Sequence, residues 1–177
     1  MGGLIVVKML QSSEFNLAGV ILSSPCFGTL VNPPKLLSSL SHILNLVYPS
    51  YRRSAGITID MATRNKEVIE FDLNDSLYVT TVSIRWYREL VKAMNEAFDF
   101  DEDFPDIPFL VMQAGDDKIV DRNLVREWFN YCPSSEKHYK EWPKLYHEIF
   151  NEPEREDVFQ YAKTFVEARL RNIGYII

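Results

Sequence analysis

Two short apolar runs, each stopped abruptly by polar residues, constrain this chain more than any other feature. AGVILSSP (Ala18 to Pro25) is rich in Val, Ile and Leu and ends at a proline. PFLVMQAGDDKIVD (Pro108 to Asp121) repeats the form, with an apolar stretch from Phe109 to Met112 followed by Gly115 and a set of acidic residues. Short unbroken apolar runs are how strands buried on both faces read, because neither face turns to water. KHYKEW (Lys137 to Trp142) is a third, more alternating strand. Helical segments lie around them. One opens the chain through Gly2, Gly3, Leu4, Ile5, Val6 and Val7, and another runs from Asn123 to Tyr131. The last runs from Glu154 to Arg171, where Val158, Tyr161, Ala162, Phe165 and Val166 recur at helical spacing. Strands alternating with helices predict an α/β fold.

The stretch from about Thr29 to Asp103 breaks that alternation. It is helical in pattern, dotted with Pro33, Pro34 and Pro49, and contains no convincing buried strand. We therefore divide the chain into residues 1–28 (a helix and the strand that follows it), an insertion over 29–103, and a return to the core over 104–177. Within the insertion Leu36, Leu37, Leu40, Ile43, Leu44 and Val47 form an apolar stripe at spacings of three and four. Such a stripe suits core packing, and a lipid-facing or acyl-binding surface is the sharper alternative. Three strands are few for a parallel sheet covered on both faces, and the first helix precedes any of them. The economical expectation is that further strands lie ahead of Met1.

Composition removes several function classes. With 177 residues, 46% of them hydrophobic and 13% aromatic, the chain can form the core of one domain, so disordered and fibrous classes fall away. A formal net charge of −6 and a pI near 5.1 offer phosphate backbones little, so no nucleic-acid partner is expected. Cys26 and Cys132 stand apart, without a CxxC pair or accompanying histidines, which suits two buried thiols in a reducing, cytoplasmic setting better than a zinc site or a disulfide framework. No run approaches the roughly 20 apolar residues of a spanning helix.

The residues able to do chemistry cluster after the second and third strands. Asp116, Asp117 and Asp121 could make a turn and cap the next helix, or hold Mg²⁺, although neither a phosphate-cradling glycine loop nor EF-hand spacing accompanies them. His147 follows the third strand in PKLYHEIFNEP. An acid at one strand end with a histidine after the next strand is what a nucleophile, acid, base order requires when the nucleophile came earlier. In such a triad the carboxylate orients the imidazole, and the imidazole takes the proton of the attacking hydroxyl. His42 falls in the insertion and His138 in a strand. Ser12, Ser13, Ser23, Ser24 and Cys26 are the nucleophiles to hand, but none stands in GxSxG, and Ser23 and Ser24 read as the end of a strand lining the site.

These residues carry a family likeness over nearly the whole chain. The sequence resembles the monoacylglycerol lipase and lysophospholipase branch of the α/β-hydrolases, a serine aminopeptidase-type group. Met1, Gly2 and Gly3 look like the end of its GHSMGG elbow, and LSSPCF is similar to its next strand. ATRNKEVIEFDLNDSLYVTTVSIRWYREL (Ala62 to Leu90) resembles its cap pattern. QAGDDKIVD is similar to its acid motif and YHEIFNEPEREDVF to its histidine motif.

The resemblance implies the C-terminal portion of an α/β-hydrolase fold carrying a mainly helical cap. It makes Asp117 the triad acid and His147 the base, and gives Met1 a backbone N–H in the oxyanion hole. It implies no metal and no cofactor. The serine would be the residue immediately before Met1, so the chain taken alone is expected to be inactive by the family's route. The substrate implied is a small acyl ester or lysolipid, with Leu36, Leu40 and Leu44 as acyl-contacting residues and peripheral lipid contact through the cap. Two readings stay open beside this one. The chain could be a non-catalytic, truncated interaction or lipid-binding module, associating with itself through an open strand edge. The same fold could also run peptidase or dehalogenase chemistry.

Overall fold

The computed structural model describes residues 1–31 and 35–175, with the side chains of residues 35–37 outside the description. Three parallel strands form the central sheet: β1 (Val20–Ser23), β4 (Phe109–Ala114) and β5 (Lys137–Trp142), in the order β1-β4-β5. Val20 pairs with Phe109 and Leu22 with Val111, so these four side chains share one face. Successive side chains of a strand alternate between faces, and the two faces carry two cores. On one, Phe109 and Val111 meet Leu4, Val7 and Leu10 of α1 (Gly2–Ser12), Met94 of α5 (Ile84–Glu96), and Val125 and Trp128 of α6 (Arg122–Tyr131). On the other, Leu110, Met112 and Ala114 meet Val158 and Ala162 of α7 (Arg155–Asn172). Every residue of β4 is buried, as its unbroken apolar run requires.

The helices begin where the sequence supplies acceptors. Asp121 caps α6 by accepting from the Asn123 N–H, Ser83 caps α5 by accepting from Trp86, and Asn65 caps α4 (Lys66–Leu73) by accepting from Glu67. α1 has no side-chain cap; the Met1 carbonyl accepts from the Leu4 and Ile5 N–H groups.

Between β1 and β4 lie α2 (Lys35–Val47), α3 (Ile59–Ala62), α4 and α5, together with a two-stranded antiparallel ribbon, β2 (Arg52–Ser54) with β3 (Thr81–Ser83). The ribbon was not legible in the sequence, because its segments RRS and TVS are too short and too open to show an apolar alternation. Of the two readings of the α2 stripe, core packing does not describe its outer residues: Leu40 is 41% exposed, Ile43 63% and Val47 75%. Among the described residues no helix is long and apolar enough to cross a membrane.

Candidate active site

The carboxyl ends of β4 and β5 deliver two loops to one point. The first carries Asp117 and the second His147, and the loops are tied by backbone bonds from Gly115 N to Trp142 O at 2.8 Å and from Asp116 N to Leu145 O at 3.0 Å. Gly115 allows this approach because a Cβ there would sit 2.8 Å from Trp142 O and 3.0 Å from Pro143 Cα.

Across the junction His147 Nδ1 lies 2.9 Å from Asp117 Oδ2. Asp117 is 7% exposed, and both of its oxygens are engaged. Oδ1 accepts from the Ile119 and Val120 N–H groups at 2.9 Å, and Oδ2 also accepts from Gln113 Nε2 at 3.2 Å. Burial pushes the carboxyl toward its neutral form, but the His147 hydrogen bond and charge, with the two backbone donors, outweigh it and hold Asp117 below the usual carboxylate range. An ionised carboxylate only accepts, so Nδ1 carries a proton, and in the neutral ring Nε2 is left as an acceptor. A buried anion that fixes the tautomer and stabilises the charged ring is the arrangement a general base needs.

The three acids that might have held a cation are separately occupied. Asp116 pairs with Lys118, Asp117 with His147, and Asp121 caps α6. Among the described residues no group of three or more His, Cys, Asp or Glu is arranged to hold a metal ion.

Three of the candidate nucleophiles within the chain, Ser12, Ser24 and Cys26, are engaged elsewhere. Ser24, in the left-handed region at φ 38°, is buried and its Oγ accepts from the Ala114 N–H, while Ser12 donates to Met9 O. The Cys26 thiol is buried against Met94, and burial pushes it up, away from the thiolate. Met1 is 51% exposed at the head of α1, where a groove of about 380 Å³ runs along Leu4, Ile5 and Met9 against Trp86 and Leu90. Of the acyl-contact candidates, Leu40 is exposed and Leu44 half-buried on α2, and the Leu36 side chain lies outside the description. His42 is exposed on α2, and His138 lies on β5 near Glu136.

Parallel strands under two-sided helices, with an acid and a histidine on successive strand-end loops, define an α/β-hydrolase. The Serine aminopeptidase, S33 family matches residues 1–154, and the chain belongs to that family. It is 52% identical over 168 residues to phospholipase YtpA of Bacillus subtilis, covering 94% of this chain and 65% of the relative. The fold is shared with a monoacylglycerol lipase of Paleococcus ferrophilus, at a TM-score of 0.83 and 24% identity over 96% of this chain and 65% of the other. A soluble variant of monoglyceride lipase from Saccharomyces cerevisiae aligns at a TM-score of 0.80 and 23% identity, over 94% of this chain and 59% of the other. The chain thus spans just under two thirds of the length of the Bacillus relative.

Proposed function

We propose that the full-length protein is a lipolytic carboxylic ester hydrolase acting on a lysophospholipid or monoacylglycerol, and that its nucleophile is a serine immediately preceding Met1. The observation that carries this reading is the 2.9 Å contact between a buried, ionised Asp117 and His147 at the carboxyl ends of parallel strands. The likeness to a phospholipase and to two monoacylglycerol lipases supports the substrate class.

In this reading the serine oxygen attacks the acyl carbon while His147 Nε2 takes its proton. The imidazole returns that proton to the departing alcohol, and water repeats the sequence to release the acid. Asp117 keeps Nδ1 protonated and balances the imidazolium. Once in peptide linkage, the Met1 N–H is one of the amides that meet the tetrahedral oxyanion; such a donor contributes about 2.7–4 kcal/mol to the transition state. Residues 29–103 act as the cap over the acyl chain, with Leu40 and Leu44 among its contacts.

The test is hydrolysis of monoacylglycerols, lysophospholipids and p-nitrophenyl esters by the full-length protein beside its His147→Ala variant. Turnover of the acyl esters that collapses in the variant is expected. Ester turnover undiminished by the substitution would remove His147 from the reaction, and preferential cleavage of aminoacyl amides would move the protein to peptidase chemistry.

A further inference from the structure

The loop that carries His147 is held by the insertion as well as by the sheet. Glu148, the residue after His147, donates its N–H to Ala62 O at 2.8 Å. Tyr146, the residue before it, donates its N–H to Glu152 Oε2 at 3.3 Å. Glu152 is fully buried at 0% exposure, and its remaining acceptor capacity is spent on the same stretch of the insertion. Oε1 accepts from Thr63 Oγ1 at 2.7 Å and from the Arg64 N–H at 2.6 Å, and Oε2 accepts from Arg64 Nε at 2.5 Å. Arg64 also reaches Glu154 through its second nitrogen. The backbone on both sides of His147 therefore hangs on residues 62–64, whereas its ring is aligned by Asp117 from the core.

A buried ion pair is a poor stabiliser against an apolar pair of the same volume, but removing one member strands the other's charge and frees the geometry it held. Here the geometry held is that of the loop. We propose that Glu152 is a positioning residue for His147, and that through Arg64 it makes the segment 62–64 the support that keeps the imidazole in register with Asp117. This rests on the assignment of His147 as the base. Consequently the insertion is fixed to the His147 loop at this end, and undocking of 62–64 switches the base off.

The experiment compares full-length wild type, Glu152→Gln and Arg64→Lys, each at a temperature where it is folded. Three quantities are measured: kcat, KM for a short p-nitrophenyl ester, and the low-field proton resonance of the His147 Nδ1–H···Asp117 bond. A misplacement of a catalytic group by about 1 Å costs up to about 100-fold. In Glu152→Gln, kcat should fall roughly 10- to 100-fold with KM changed less than about threefold, and the resonance should weaken or vanish. Arg64→Lys, which keeps the charge but cannot fork between Glu152 and Glu154, should fall between the two. If Glu152→Gln does not fold, Arg64→Lys alone decides, a wild-type kcat and resonance there overturning the proposal. A loss of activity that tracks only the folded fraction, with the resonance intact, also overturns it. Because the resonance is read without substrate, a wild type that turns over no ester would defeat the proposed function while the positioning role was still being tested.

Discussion

Asp117 illustrates how a single residue can be committed to one task by its surroundings. Two backbone N–H groups fill one oxygen, and a ring nitrogen and an amide fill the other, so the carboxylate has no freedom to rotate. Asp117→Asn preserves the shape but puts an amide where the acceptor was, favouring the wrong imidazole tautomer. In the full-length protein we expect kcat to fall by about 10⁴, measured by steady-state ester hydrolysis. Asp117 and His147 were legible in the sequence because their order and flanking motifs carry the information. Gly115 and Glu152 were not legible as parts of the site. The requirement for Gly115 arises only where two loops some thirty positions apart meet at Trp142, and that for Glu152 only where its carboxylate meets Arg64.

At the level of elements, α6 connects the acid loop to the core. Its cap is Asp121, three residues beyond Lys118, and its buried face presents Trp128, which stacks on Phe27 at a centroid distance of 4.6 Å and donates to Ala97 O at 2.8 Å. Asp121→Ala should cost about 1 kcal/mol, whereas Trp128→Ala opens a cavity in the larger core and should cost about 3–5 kcal/mol. Urea unfolding of both variants checks the ratio, and equal losses would mean that α6 is held by its cap and not by its packing. The α/β alternation and the three sheet strands were legible, β1 and β4 as short unbroken apolar runs and β5 by its alternation. The β2–β3 ribbon left no such trace. The α2 stripe left one that periodicity alone could not interpret, because an outward apolar face and an inward one have the same spacing.

For the molecule as a whole, the carboxylates of the site link stability to pH. Burial opposes ionisation of both Asp117 and Glu152, yet their hydrogen-bond donors lower both below the ordinary range. A lowered folded-state value stabilises the fold above the unfolded carboxylate values of about 3.9 and 4.3. That contribution is lost as pH falls through the lower folded values. The stability gap between wild type and Asp117→Asn should therefore be widest above about pH 4 and close below it, as urea titrations at stepped pH would report; a gap independent of pH contradicts the linkage. β1 forms one edge of the three-stranded sheet, with no strand among the described residues on its outer side. Such an edge favours association, and the 177-residue chain studied by itself should self-associate in light scattering. The central claim, that Asp117 and His147 serve a serine just ahead of Met1, is tested most directly by treating the full-length protein with a fluorophosphonate and mapping the modified residue. We predict a single adduct on the serine preceding Met1, lost in His147→Ala. An adduct on a residue within 1–177, or one that forms unabated without His147, would contradict the account.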